Sequence, residues 1–199
     1  MKHFRRVVLA FFAVCLLFSS NTCFASPVQD QLELSINKIL EILRDPAMKG
    51  DAAIEARRDA LRKVIYERFS FAKMSQLSLA RYWNERSDEE KKSFIDLFGK
   101  LLEETYISKI EGYTDEKVVF VKEFSDSKKA QVNTKIVTDT VEIPIDYRLY
   151  LTKDGQWIVY DIVIEGVSLV GNYRSQFDQI LQKDSYDKLV EELKKKIDK

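Results

Sequence analysis

The segment VYDIVIEGVSLVGNYRSQF, residues 159–177, constrains the fold more than any other part of the chain. It opens with the two-residue period of a strand, turns on Gly166 and continues with the period of a helix. On strict alternation Trp157, Val159 and Val163 share one face of the strand, and Ile158, Tyr160, Ile162 and Ile164 the other. A strand half exposed to water needs only one apolar face. This one has two, so something apolar must cover the second.

Upstream the pattern is helical. Residues 28–44 carry Leu32, Ile36, Ile39, Leu40 and Leu43 on one stripe, and Pro46 and Gly50 end the run. A second helix is predicted over about 51–68 and a third over about 71–83. Ser87 and Glu90 have the spacing of a capping box, opening a long helix to about Ile110 with Phe94, Phe98, Leu101, Leu102 and Tyr106 on its apolar face. From residue 117 the period changes to two. VVFVKEF and AQVNTKIVT read as strands, and in VEIPIDYRLYL the residues Val141, Ile143, Ile145, Tyr147, Leu149 and Leu151 alternate with polar ones or proline. Pro144 suggests an edge position or a bulge there. Lys153-Asp154-Gly155 is a hairpin turn before the last strand, 156–165. Ser168 is placed to cap a helix to about 182, and a final amphipathic helix carries Tyr186, Leu189, Val190, Leu193 and Ile197. Helices, then an antiparallel sheet, then helices make an α+β domain of about four strands.

The start of the chain reads differently. Lys2, Arg5 and Arg6 precede an apolar run of 12 residues, Val7 to Phe18, and Cys23-Phe24-Ala25 offers small residues at a cleavage site. This is the pattern of a secretory signal peptide, residues 1–25, and is shorter than the roughly 18 to 20 residues a membrane span needs. Ser20-Asn21-Thr22 does not prepare Cys23 for lipidation. Cleavage after Ala25 leaves a single domain, residues 26–199, expected to be exported and soluble. It removes both cysteines, Cys15 and Cys23, and the only histidine, His3. A chain so processed has no thiol nucleophile, no imidazole base and no soft metal ligand, which sets aside Ser-His-Asp, cysteine-protease and zinc chemistry. It also loses three of 32 basic residues and none of 32 acidic ones, so its net charge falls from 0 to about −3. That balance gives no support for nucleic-acid binding.

With these residues in view, Trp157 to Phe177 resembles the closing signature of the MlaC-type periplasmic phospholipid carriers, also known as toluene-tolerance proteins. The matching residues are Trp157, Tyr160-Asp161, Glu165-Gly166-Val167-Ser168, Asn172-Tyr173-Arg174 and Phe177. FAKMSQLSLARYW (71–83) and SFIDLFGKLLEETY (93–106) match two further family blocks in the same order, apart from Ala80, where many members carry glycine. The resemblance implies helices against a curved antiparallel sheet with a deep apolar cavity between them. It implies a carrier of lipid across the periplasm, with phospholipid as ligand and no cofactor, metal or catalytic residue. Its partners would be an outer-membrane lipoprotein–porin complex and an inner-membrane ABC transporter, and its role the maintenance of outer-membrane lipid asymmetry.

On that footing, acyl chains would meet Phe98, Leu102 and Tyr106 of the long helix, and Ile145, Tyr147 and Leu149 of the third strand. Ile162 and Ile164 of the last strand, Val167 at the turn, and Leu169 and Tyr173 of the following helix would complete the lining. Each of these is equally a candidate for ordinary core. Val167 either closes the cavity or staples the helix. Arg174 either meets a phosphate at the mouth or pairs with Glu165 or Asp161 and locks the turn. Lys194 to Lys196 read as a solvated face, and Lys91 and Lys92 as partner contacts. The rival readings are a small cavity enzyme, a protein-binding adaptor, and a carrier of a polycyclic lipid such as a hopanoid. Neither Tyr160-Asp161 nor Asp146-Tyr147 suits acid–base work in one cavity if adjacent strand residues alternate in direction.

Overall fold

The computed structural model describes residues 27–113 and 116–198; the expected signal peptide, 1–25, lies outside the described residues. Four helices come first: α1 (Pro27–Arg44), α2 (Ile54–Arg68), α3 (Phe71–Leu79) and α4 (Asp88–Glu111). A sheet follows, with β1 (Lys117–Ser125), β2 (Lys129–Val137), β3 (Glu142–Leu151), β4 (Trp157–Ile164) and the short β5 (Val167–Ser168). Two helices close the chain, α5 (Leu169–Leu181) and α6 (Tyr186–Ile197). The sheet is an antiparallel meander in sequence order, with β3 in the middle.

Local chemistry sets the boundaries. The capping box forms as its spacing predicts: Glu90 N–H donates to Ser87 Oγ at 3.1 Å, and Ser87 N–H donates to Glu90 Oε2 at 2.8 Å. The third helix is shorter than its apolar pattern suggests. It stops at Leu79 because Ala80 takes a positive φ of 49°, after which Ala80–Glu85 continues as a 3-10 turn. Pro144 lies in the central strand rather than at an edge. Its carbonyl accepts from Glu165 N–H at 3.0 Å, beyond the last β3–β4 pair, Ile145 with Ile164, so the N–H it lacks would have pointed past the end of β4.

The strand-to-helix turn holds two further departures. It is a two-residue hairpin loop with positive φ at both Glu165 (49°) and Gly166 (82°), and it folds Val167–Ser168 back as a fifth strand. Strict alternation also fails in β4. Arg148 pairs with Asp161 and Leu149 with Val159, leaving Tyr160 as a bulge. A bulge shifts the side-chain phase by one residue. Trp157 and Val159 therefore share the helix-facing side with Ile162 and Ile164, and much of the second apolar face disappears. A second bulge, at Val121 of β1, adds to the curvature.

Three apolar clusters hold the layers together. One is aromatic: Phe98 meets Tyr173 and Phe177 edge-on at 5.0 and 5.6 Å, Phe94 meets Phe177 at 5.7 Å, and α3, α5 and α6 close around them. In the second, α1 lays Val28, Leu32 and Ile36 on Val132, Leu149 and Val159 of the sheet. The third joins Leu43, Leu61 and Ile107 of α1, α2 and α4. The free edge of β4 is sealed by polar groups. Ser70 N–H donates to Val159 O at 2.9 Å, Gln31 Oε1 accepts from Trp157 N–H at 2.9 Å, and buried Arg68 donates to Trp157 O at 2.6 Å and to Ser35 Oγ at 2.8 Å.

Candidate functional site

Between the three clusters the chain leaves a cavity of about 380 Å³. Its sheet wall is made of isoleucines, Ile136, Ile143, Ile145, Ile162 and Ile164, with Tyr147 among them. β-Branched side chains have few rotamers, so this wall is stiff and does not collapse inward. Across from it stand Ile36, Ile39, Leu40 and Leu43 of α1, Ile65 and Tyr66 of α2, and Leu102, Tyr106, Ile107 and Ile110 of α4. Met74, Leu102 and Leu169 belong both to this wall and to the aromatic cluster, while Leu43 and Ile107 belong both to it and to the third cluster. The two clusters act as pillars that hold the C-terminal half of α4 away from the sheet.

Charged groups on the wall are few. Arg62 Nε lies 3.1 Å from both Glu103 oxygens, and that hydrogen bond raises the guanidinium pKa above its usual value. Nearby, Glu111 accepts from Arg57 at 2.9 Å and from Arg58 at 3.1 Å. Burial alone would raise the Glu111 carboxyl, but the hydrogen bonds from the two arginines outweigh it and hold the pKa below its ordinary range. Lys109 sits over the Tyr106 ring, 5.4 Å from its centre. Burial pushes the Tyr147 phenol up to about 12, with a smaller contribution from Tyr113, and raises the Tyr106 phenol too. Among the described residues no group of three or more His, Cys, Asp or Glu side chains could hold a metal ion. Nor is any helix among them long and apolar enough to cross a membrane.

Seven of the residues singled out in the sequence come together on this wall: Leu102, Tyr106, Ile145, Tyr147, Ile162, Ile164 and Leu169. Four stand elsewhere. Phe98 and Tyr173 fill the aromatic cluster, and Leu149, fully buried, packs under α1. Val167 is exposed on β5, because the hairpin loop carries it outward instead of over the cavity. Arg174 is also exposed, beside Ala80 and Asp178 on the far side of α5. It joins neither Asp161 nor Glu165 among the described residues. The lock on the turn is Asp161 itself, which accepts from Arg148 at 2.9 Å, Ser168 Oγ at 2.7 Å and Val170 N–H at 3.0 Å. A buried carboxylate at a helix N-terminus is well placed, and these bonds account for the Tyr-Asp and Gly-Val-Ser spacing. Tyr160 is thus the bulged residue beside Asp161, and Asp161 is committed to structure.

The wall residues of α1 and α2 were not singled out. The α1 stripe is visible in the sequence, but nothing in a helical period says that one end of a stripe meets a sheet and the other a void.

Comparison with known proteins matches residues 33–195 to the sequence model of the family described as MlaC protein. The intermembrane phospholipid transport system binding protein MlaC of Haemophilus influenzae is 29% identical over 119 residues, which cover 56% of this chain and 55% of that protein. The match thus spans about half the length of that relative. A phospholipid-binding protein from Ralstonia solanacearum, solved in complex with a phospholipid, superposes with a TM-score of 0.79 over 86% of this chain and 97% of that one, at 22% identity. That likeness shows the fold.

Proposed function

The chain belongs to the MlaC family, and from that premise we propose that it is a periplasmic carrier of phospholipid whose acyl chains occupy the cavity between the sheet and α1, α2 and α4. The observation that carries this reading is the cavity itself, apolar over most of its wall and held open by packed clusters on two sides. Its volume of about 380 Å³ falls within the roughly 300 to 1,000 Å³ of sites that enclose small ligands.

The energetics suit a carrier. Burying a methylene is worth about 0.8 kcal/mol, so a chain of about 15 of them resists escape into water by some 12 kcal/mol. An oily cavity removes that barrier, because membrane and carrier bury the same methylenes and transfer between them is nearly isoenergetic. No bond is made or broken, and no acid, base or nucleophile is required. The exchange would run between an outer-membrane complex and an inner-membrane ABC transporter, maintaining the lipid asymmetry of the outer membrane.

Native mass spectrometry of the mature protein, purified without detergent, tests the reading. A population heavier than the polypeptide by the mass of about one phospholipid is expected. Bare polypeptide alone, in a sample also unable to take lipid from vesicles, would refute it.

A further inference from the structure

Four tyrosines stand on the cavity wall, Tyr66, Tyr106, Tyr113 and Tyr147, and none of their hydroxyls has a hydrogen-bond partner among the described residues. Tyr147 is the one that matters most. It sits on β3, the central strand, between Val132 and Ile162, and the surface it retains is the part that faces the cavity. Tyr113 follows α4 on the same wall, close enough that its charge would raise the Tyr147 pKa further. A phenylalanine would fill either place with the same ring and no polar atom. Water can reach these hydroxyls while the cavity is empty of lipid, but once acyl chains displace it a hydroxyl left without a partner costs about 1 to 3 kcal/mol. On the sheet face, where Tyr147 stands among isoleucines and has no protein partner among the described residues, such a group points to an acceptor carried in by the ligand.

We infer that the Tyr147 hydroxyl, with Tyr113 beside it, donates a hydrogen bond to the ester carbonyl oxygens where the acyl chains join the glycerol, and so selects acyl-ester lipids. The inference rests on the carrier reading above and narrows it. A chain of methylenes fits any oily cavity and carries no information about what it is attached to. A carbonyl oxygen at a fixed distance from the chains is a feature that a pair of phenols can read. Burial holds both phenols above their ordinary pKa, so the donors are neutral at pH 7 and the selection is insensitive to pH near neutrality. A saturated polycyclic hydrocarbon offers the same apolar bulk with no acceptor, and a dialkyl ether lacks the carbonyl and offers only its weaker, less accessible ether oxygens.

The test is competition between a diacyl phospholipid and the dialkyl ether analogue with the same headgroup and chain length, offered in mixed vesicles to lipid-free protein. The wild type should take up the diacyl lipid roughly two- to tenfold in preference, the range expected for one or two hydrogen bonds. Tyr147→Phe should lose most of that preference while still taking up both lipids, and Tyr113→Phe should lose part of it. Lipid-free Tyr147→Phe should melt near the wild-type temperature, since the hydroxyl removed has no protein partner among the described residues. No ester preference in the wild type, or a preference unchanged in both variants, would overturn the inference and leave the carrier reading intact. A marked drop in melting temperature for lipid-free Tyr147→Phe would show a structural partner for the hydroxyl and also overturn it. Failure of the wild type to take up either lipid would sink the carrier reading and the inference together.

Discussion

Helix α4 passes through two regions that its sequence makes look alike. In its N-terminal half Phe94 and Phe98 are fully buried among Tyr173, Phe177 and Tyr186. In its C-terminal half Tyr106 and Ile110 continue the same stripe and face a void. The helical period is unbroken; what changes is the partner across the gap. Opposite the first half stand aromatic rings, which are large and interlock edge-on. Opposite the second stands a sheet of isoleucines, each confined to its own pleat and too short to reach α4. An apolar stripe therefore specifies what a helix must avoid, namely water, and leaves open whether side chains or a ligand will meet it.

The sharpest way to break that comparison is to put the same charge at a packed site and at a hollow one. Leu149→Arg forces a guanidinium into a site with no exposure, between α1 and the sheet. An unpaired buried charge costs on the order of 3 to 5 kcal/mol or more, comparable with the roughly 5 to 15 kcal/mol that holds a domain folded. This variant should lack a cooperative melt by circular dichroism. Ile164→Arg places the charge on the cavity wall, where water can reach it when lipid is absent. It should melt cooperatively and carry little or no lipid. Equal damage from both substitutions would mean that the cavity is closed in solution.

A gentler pair lies on one helix, eight residues apart. Phe98→Ala should cost about 3 to 5 kcal/mol in urea unfolding, the usual effect of deleting a packed ring. Tyr106→Ala should cost about 1 kcal/mol, since much of its ring already faces empty space and its removal creates little new cavity. It should also weaken lipid retention, which Phe98→Ala has no direct reason to do.

Acid distinguishes the two regions by a different force. Around the cavity, α2 is tied to α4 through Arg57, Arg58 and Glu111, whereas the aromatic half is held by packing. The folded pKa of Glu111 is depressed below its unfolded value near 4.5. Its contribution is therefore fully present above that value and is lost as pH falls through the folded pKa. Glu111→Gln should be less stable than wild type at pH 6, by about 1 to 2 kcal/mol, and the difference should shrink as pH falls below 4.5 and through the folded pKa. Urea midpoints measured across that range decide it; a constant difference would mean that the carboxylate is not held by the arginines.

Most of the fold is legible in the chain because its elements are bounded by short-range chemistry. Ser87 and Glu90 specify a helix start through their own hydrogen bonds, and the alternation from Val141 to Leu151 specifies a strand through its faces. The bulge at Tyr160 was not legible, because the bonds that surround it come from Ser70 and from Asp161 reaching across to α5. Residues distant in sequence supply it. The demand for apolar cover came from a second strand face that the bulge largely removes; the cavity and the seven wall residues follow instead from the family resemblance. Leu149, Phe98 and Tyr173 have the same phase and character and differ only in being met by α1 or by other rings. Val167 was displaced by the two-residue loop, which holds a non-glycine residue, Glu165, at positive φ. Sequence pattern alone rarely argues for that.

The smallest expected effect concerns strain in the packed region. Ala80 ends α3 with φ 49° and ψ −117°, a conformation in which a Cβ crowds the backbone and which glycine adopts freely. Ala80→Gly relieves strain of about 1 to 3 kcal/mol and gives back about 0.4 to 1 kcal/mol through the greater freedom of the unfolded chain. The net should be a gain of about 1 kcal/mol, or about 2 to 4 °C in melting temperature for a domain of this size. Because α3 meets the cavity only through Phe71 and Met74, several residues before the turn, the lipid load should not change. A lower melting temperature would mean that residue 80 is not held at positive φ in solution. A higher one with altered lipid content would mean that the packed and hollow halves of the molecule are mechanically coupled through α3.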